Sequence, residues 1–296
     1  MSVDIWGPRV GKTTPRGIPA ILQAPGAVLV TSNKRDIVDA TCDLRGERGD
    51  VWPLMRRASS APADWWWNPL SYVTDEVKAE ILADVFASGS RDPTARTDAY
   101  FEPAGQRLLA NLLLAAALAK RPLTQVYLWL SDPAEEEPVR VLEEHGYPLL
   151  AAALGSVVNA PEKQRGGVYG TAQQIASFMT NREAMRWVSA DGAPAASSPR
   201  AVNPWFKTKR REFDPDEFVK TSDTMYSLSK EGRGSAGSLV TALSVAICEA
   251  AEERAKVSPG GRLAVPLVVV LDEAANVCRW RELPNLYSHY GSRGIC

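Results

Sequence analysis

The residues with the clearest chemical potential lie near the start of the chain, in the sequence GPRVGKTT at 7–14. Glycines let backbone N–H groups turn towards an anion, and the start of a helix adds positive potential. A lysine in this setting reaches the terminal phosphates of a nucleotide, and the next hydroxyl ligates Mg²⁺. We therefore predict that this segment binds ATP through Gly7, Pro8, Arg9, Val10, Gly11, Lys12, Thr13 and Thr14.

A second chemical feature is the sequence PLVVVLDEA at 266–274, an apolar strand followed by two adjacent carboxylates. Asp272 would hold Mg²⁺ together with the hydroxyl of Thr13, and Glu273 would polarise the attacking water. Two acids that merely end a strand at the surface are the alternative, and the GKT turn disfavours it. The pair of motifs predicts Mg²⁺-dependent ATP hydrolysis with Lys12 and Glu273 as catalytic residues.

The phosphate-binding pattern has one departure. The strict form GxxxxGK[ST] requires glycine at position 6, where this chain has Trp6, and its first glycine follows at Gly7. A non-hydrolysing interaction module with a degenerate phosphate loop therefore stays open as an alternative function.

The elements that would position these motifs alternate between strands and helices. Apolar and β-branched runs predict strands at 3–6, 27–31, 224–229 and 263–271, and helical spacing predicts helices at 237–256 and 281–290. Residues 294–296 resemble the start of one more strand. This order predicts right-handed βαβ units and a parallel, buried sheet.

The middle of the chain has a different pattern of amino acids. Alanine- and leucine-rich stretches with helical spacing predict an all-α insertion domain at 74–190, and the sequence GAPAASSPRAVNP falls within a flexible linker at 191–212. The nucleotide-binding domain would then consist of residues 1–73 and 213–296. The predicted fold class is α/β, with a parallel sheet and an inserted all-α domain.

Composition excludes several classes of protein. Thirty-four Lys and Arg against 35 Asp and Glu give no global cationic field of the kind typical of dedicated nucleic-acid-binding domains. The four cysteines lie far apart and there are two histidines, which disfavours zinc and disulfide scaffolds. The longest nearly continuous apolar run, 108–119, is too short to span a bilayer, so we expect a cytoplasmic chain without a transmembrane helix.

The motifs together resemble a known family. GPR and GKT at 7–13, NPL at 68–70 after a tryptophan run, LDEAANV at 271–277 and YGSRGI at 290–295 are similar to the TraG/TraD/VirD4 type IV coupling proteins. The more specific resemblance is to the actinobacterial conjugative DNA-transfer ATPases. It implies a RecA-like P-loop domain that bears an all-α domain.

The resemblance also implies function and partners. It implies a homo-hexamer in the full-length protein that hydrolyses ATP to move single-stranded DNA and protein substrates, such as a relaxase, to a type IV secretion machinery. The site of action would be the cytoplasmic face of the inner membrane. Arg293 matches the position of an arginine finger that reaches a neighbouring subunit's nucleotide, and capping of a helix end is the alternative. The chain would end before the sensor strand of the family.

Two further features leave alternatives open. The sequence SKEGRGSAG at 229–237 holds Lys230 and Arg233, and it either faces DNA or nucleotide or forms a flexible turn. The tryptophans at 65–67 either stack on bases or pack in the protein interior, and the following Asn-Pro favours packing. An FtsK-like DNA pump is a third functional alternative, which the large helical insertion disfavours.

Overall fold

The chain folds as two units in a computed structural model that describes residues 13–54, 64–90, 98–190, 210–229 and 237–296, with residues 13 and 14 described by their backbone alone. The described residues of 13–54 and 213–296 form the sheet unit, and those of 64–212 form the helical unit.

The strands are short and parallel. They are β1 (Val28–Ser32), β2 (Val51–Leu54), β3 (Trp65–Trp66), β4 (Arg211–Glu212), β5 (Thr224–Leu228) and β6 (Val268–Leu271). In the sheet unit, four of them form a parallel sheet in the order β2-β5-β1-β6. The other two, β3 and β4, form a parallel ladder in the helical unit.

Helices make up most of the remaining described chain. They are α1 (Ile18–Gln23), α2 (Asp36–Gly46), α3 (Glu76–Ser90), α4 (Phe101–Leu118), α5 (Leu123–Ser131), α6 (Glu137–Glu144), α7 (Pro148–Val158), α8 (Glu162–Ile175), α9 (Arg182–Met185), α10 (Pro215–Phe218), α11 (Gly237–Lys256), α12 (Ala274–Val277) and α13 (Leu283–Arg293). Single π-helical or 3-10 turns lie at Thr13–Gly17, Pro69–Tyr72, Ala176–Thr180 and Pro259–Gly261.

The core of the sheet unit forms around β1, whose five residues are all buried between β5 and β6. Its alternate residues Val28 and Val30 pack against Ile21 of α1 and Ile37 of α2, so these two helices cover one face of the sheet. Helix α11 is buried along most of its length and packs against β1, α12 and α13. Apolar burial on both faces is what a parallel sheet requires.

One buried arginine joins the amino ends of the strands, which we call the amino edge of the sheet. Arg45 is 1% exposed and donates hydrogen bonds to the carbonyl oxygens of Ala24 (3.0 Å), Gly26 (2.8 Å) and Ser222 (2.7 Å). Its Nε donates to the Thr224 hydroxyl at 2.8 Å. Burial lowers the pKa of Arg45, and the hydrogen bonds offset the desolvation of its charge.

Most predictions about the sheet unit are confirmed. The predicted fold class, α/β with a parallel sheet and an inserted helical unit, is the observed one, except that the inserted unit also contains the short ladder of β3 and β4. Strands occur where 27–31 and 224–229 were predicted, as β1 and β5, and α11 has the predicted bounds. The strand predicted at 3–6 lies outside the described residues. The helix predicted at 281–290 is α13, which begins and ends two to three residues later.

The prediction of a buried central strand at 263–271 is wrong in two respects. The strand begins only at Val268, because Val265 is 53% exposed and Pro266 has no N–H to donate. The second respect is burial, because β6 is half-buried. Its position between two neighbours is as predicted: β1 lies on one side, and on the other side Leu267 forms a parallel bridge with Ile295 and the Val269 N–H donates to the Cys296 carbonyl at 2.7 Å. The last residues therefore begin another strand, as predicted.

The helical unit is built around α4, a leucine- and alanine-rich helix that packs against α3, α5, α6 and α8. The tryptophans near the start of the helical unit belong to the interior of that unit. Trp65 and Trp67 are each 1% exposed, and the Trp65 ring lies 5.1 Å from that of Trp187. Packing, and not base stacking, is therefore the observed role of these two side chains.

The helical unit takes in more chain than the all-helical residues 74–190. Trp65 pairs with Arg211 in the ladder of β3 and β4. Arg210 donates to the carbonyl oxygens of Ser189 (2.8 Å), Arg186 (2.7 Å) and Trp65. These contacts hold residues on both sides of the helices in one unit.

Candidate functional site

Most of the predicted phosphate-binding segment lies outside the described residues. This applies to Gly7, Pro8, Arg9, Val10, Gly11 and Lys12, and to Lys230 and Arg233 of the second glycine-rich segment. The backbone of Thr13 and Thr14 is described, and it forms the π-helical turn Thr13–Gly17 that leads into α1.

The path of α1 shows which edge of the sheet this turn approaches. Its last turn lies at the amino edge, where the Ala24 carbonyl accepts from Arg45. Both the turn and α1 pack against α2, which begins at Asp36 just beyond the carboxyl end of β1 and reaches the amino edge with Arg45. Because the end of α1 meets the end of α2 at Arg45, the preceding turn packs against an earlier part of α2, and the backbone at Thr13 lies towards the carboxyl edge.

Asp272 lies at this carboxyl edge, directly after β6. Its N–H donates to the Thr31 carbonyl at 3.0 Å, which extends the β1–β6 pairing by one residue. The Ser32 hydroxyl donates to Asp272 Oδ2 at 3.0 Å. The strand register thus fixes both the backbone and the carboxylate of Asp272, which is half-buried.

Glu273 is held in a strained backbone conformation. Its φ of 55° and ψ of 39° are left-handed, and its carbonyl accepts from the N–H groups of Asn276 (2.9 Å) and Val277 (3.0 Å) as α12 begins. For a residue with a Cβ this conformation costs about 1–2 kcal/mol. Strain of this kind concentrates at functional sites, where the surrounding structure maintains it.

Two buried hydroxyl groups at the same edge have no hydrogen-bond partner among the described residues. They are Oγ1 of Thr31 and Oγ of Ser227, whose residues are paired across β1 and β5 and are both 0% exposed. Most buried polar groups in proteins are hydrogen-bonded, so a neighbouring pair without partners is unusual.

The donor chemistry at the carboxyl edge fits Mg²⁺ bound to a nucleotide. Such an ion takes one or two protein oxygens and obtains its other ligands from phosphates and water. Asp272 supplies a carboxylate and the chain carries a threonine at Thr13. Within the described ranges there is no group of three or more His, Cys, Asp or Glu that could hold a metal, and a nucleotide-bound ion does not require one.

Arg293 lies at the opposite edge from Asp272. It is the last residue of α13, and its Nη1 donates to the Gly261 carbonyl at 2.9 Å. Its own carbonyl accepts from Leu263, and Ile295 then pairs with Leu267 before β6 begins. Within one chain, these contacts favour a structural role at a helix end.

A cavity in the helical unit is unsuited to phosphates. Its volume is about 350 Å³, and its lining includes Glu135, Glu136, Glu137 and Glu143 against the single cation Arg140. Carboxylates repel a polyphosphate. Of these two places, the carboxyl edge of the sheet is therefore the candidate site of nucleotide chemistry.

Sequence reasoning found the two carboxylates and missed the residue that holds one of them. Ser32 belongs to no motif, and its contact with Asp272 joins residues 240 positions apart. The available signal was a polar residue just after a predicted strand, since strand ends at one edge of a parallel sheet collect the site residues.

The chain was compared with known families and proteins. The family model described as "Type IV secretory system Conjugative DNA transfer" matches residues 3–192, more than half of the chain. The model described as "TraM recognition site of TraD and TraG" matches residues 266–296. No curated protein matches the sequence.

Among solved structures, the chain is similar to the bacterial conjugative coupling protein TrwBdeltaN70 in its unbound monoclinic form. The sequences are 12% identical, the TM-score is 0.46, and the match covers 95% of this chain and 62% of that one. The chain therefore spans less than two thirds of the length of that structure. In the described parts of the chain, none of the helices is both long and apolar enough to cross a bilayer.

Proposed function

Because the chain belongs to the type IV secretory system conjugative DNA transfer family, we propose that it is the motor part of a coupling protein. It binds ATP with Mg²⁺, hydrolyses it, and uses the free energy to drive single-stranded DNA and attached proteins towards a secretion apparatus. The observation that carries the proposal is Asp272, held by strand register at the edge towards which the Thr13–Gly17 turn leads.

Different residues would hold the phosphates, the Mg²⁺ ion and the attacking water. Backbone N–H groups of 7–14 and the Lys12 ammonium would hold the phosphates. Thr13 and Asp272 would hold Mg²⁺, which when bound neutralises charge on the phosphates. Glu273 follows Asp272 with a left-handed backbone, so the two carboxylates leave the strand in different directions. Glu273 would orient and deprotonate the attacking water.

Partners follow from the same proposal. Single-stranded DNA, a relaxase or other secretion substrates, and the type IV machinery at the inner membrane are the expected ones, with a homo-hexamer as the working assembly. The match to a TraM recognition site supports a protein partner for residues 266–296, where four of the nine exposed residues lie on α13. A role for Arg293 in a neighbouring subunit's site stays a prediction.

The test is nucleotide binding and turnover by the purified chain. Wild type should bind a fluorescent, non-hydrolysable ATP analogue in a Mg²⁺-dependent manner, and Lys12→Ala should weaken binding at least about tenfold. Lys163→Ala is the matched control, because Lys163 is an exposed lysine on α8 of the helical unit. Equal binding by wild type and Lys12→Ala would overturn the proposal.

A second candidate is a non-hydrolysing interaction module, which the tryptophan at position 6 favours because the strict phosphate pattern has glycine there. ATP turnover with and without single-stranded DNA separates the two. Turnover stimulated by DNA supports the motor. Binding of a secretion substrate without any turnover supports the module.

A further inference from the structure

The contact between Ser32 and Asp272 has a defined direction. The Ser32 oxygen accepts the N–H of Lys34 at 3.1 Å, and the Ser32 carbonyl accepts the N–H of Ser229 at 3.2 Å. A hydroxyl has a single proton. Because a backbone donor already occupies one lone pair of the oxygen, the proton is left to point at Asp272 Oδ2, 3.0 Å away.

The position of the Ser32 side chain is restrained, as is the direction of its hydroxyl proton. The residue is 0% exposed and ends β1 between β5 and β6. Its side chain therefore cannot leave the carboxylate without disturbing a buried strand end. A hydrogen bond held in this way selects one orientation of the Asp272 carboxylate before any ligand arrives.

We infer that Ser32 is a positioning residue that presents the Asp272 carboxylate to Mg²⁺. The inference rests on the proposed function, in which Asp272 holds the ion of a bound nucleotide. Ser32 itself touches neither ion nor nucleotide in this role. Hydrogen-bond partners that orient a metal ligand typically change metal affinity by about 10–100-fold when they are removed.

The chain offers a matched control in Ser244. It is also a serine of the sheet unit and also 0% exposed, but its hydroxyl donates within α11, to the Val240 carbonyl at 2.8 Å. Alanine at either position removes the same atom at the same depth. A difference between the two variants therefore reports the contact with Asp272 and not the loss of a buried hydroxyl.

The experiment is a Mg²⁺ titration of the whole chain with a fluorescent, non-hydrolysable ATP analogue, followed by anisotropy. Ser32→Ala should raise the Mg²⁺ concentration at half-saturation about tenfold or more, while nucleotide affinity in EDTA stays unchanged. Ser32→Thr keeps the hydroxyl and should restore the wild-type value to within about threefold. Ser244→Ala should match wild type.

Two further variants keep the outcomes distinct. Ser32→Cys keeps a similar volume with a weak donor, so it should repeat the effect if Ser32→Ala fails to fold. Asp272→Asn tests the ligand itself. If Asp272→Asn loses the Mg²⁺ dependence and both Ser32→Ala and Ser32→Cys behave as wild type, the positioning role is wrong. If wild type shows no Mg²⁺ dependence, or Asp272→Asn keeps it, the proposed function fails and this inference fails with it.

Discussion

The two edges of the sheet differ in how completely their polar groups are hydrogen-bonded. At the amino edge, Arg45 donates to four oxygens, and Asp223 accepts from the Asp50 N–H (2.9 Å) and the Trp52 indole (3.0 Å). At the carboxyl edge, Thr31 and Ser227 are buried without described partners, and Glu273 has a left-handed backbone. At the first edge Arg45 and Asp223 satisfy the polar groups around them, although Arg293 Nε is buried there without a described partner. The second edge combines a strained backbone with a neighbouring pair of unsatisfied hydroxyl groups, which is typical of a functional site.

The largest expected effect is on the amino edge. Arg45→Ala should lower the free energy of unfolding by about 3–5 kcal/mol, because it leaves the carbonyl oxygens of Gly26 and Ser222 and the hydroxyl of Thr224 without that donor. Urea denaturation followed by circular dichroism measures it. Arg48→Ala is the control, since exposed Arg48 makes only a 3.3 Å bond to Ala24 and should cost less than about 1 kcal/mol. Similar losses for both variants would remove the contrast between the edges.

At the carboxyl edge the large effect should be on turnover. Glu273→Gln should lower the rate of ATP hydrolysis at least about 100-fold, because an amide cannot accept the proton of the attacking water. Its unfolding midpoint and nucleotide affinity should match wild type. Glu282→Gln, at an exposed glutamate before α13, should keep full turnover. Turnover retained by Glu273→Gln would assign the water to another residue.

The left-handed backbone of Glu273 predicts a smaller effect, which is a gain in the free energy of unfolding. Glu273→Gly should raise the free energy of unfolding by about 1 kcal/mol, since glycine adopts a φ of 55° without strain. Lys120→Gly, at the other non-glycine residue with positive φ among the described ones, should stabilise by a similar amount. Only the Glu273 variant should lose turnover. Destabilisation by Glu273→Gly would mean that the side chain supports the fold.

The smallest effect is expected at Thr31. Thr31→Val replaces a hydroxyl without a described partner by a methyl group, so stability should stay the same or rise by up to about 1 kcal/mol. The matched control is Thr41→Val, because the equally buried Thr41 hydroxyl lies 2.6 Å from the Ile37 carbonyl and 2.7 Å from the Tyr226 hydroxyl. That change should cost about 1–3 kcal/mol. Chemical denaturation compares the pair, and an equal cost at both sites would show that Thr31 has a partner.

Local signals in the sequence were enough for most elements. The helical spacing of apolar residues in α11 and the β-branched or aromatic residues of β1 and β5 define those elements without tertiary information. The part of an apolar run that joins the sheet could not be predicted in the same way. The run 263–271 is as apolar as a central strand, yet its first residues lie outside the sheet, because exposure depends on which strands come to lie beside it.

Only part of the candidate site was predicted, because the rest depends on which strands lie beside each other. Asp272 and Glu273 follow an apolar run and can be recognised locally. Ser32, Thr31 and Ser227 have ordinary neighbours in sequence, and they gain significance only through the register of β1 with β5 and β6. Strand register is a property of the folded sheet, so no local pattern pairs Ser32 with Asp272 or Thr31 with Ser227.

The central claim is that the carboxyl edge binds Mg²⁺ and nucleotide, and ligand-linked stabilisation tests it most directly. The measurement is the change in unfolding free energy caused by a non-hydrolysable ATP analogue with Mg²⁺ at about 100 times its dissociation constant. Wild type and Arg48→Ala should each gain about 2.7 kcal/mol, and Asp272→Asn should lose most of the Mg²⁺-dependent gain. Equal stabilisation of Asp272→Asn and wild type would contradict the account.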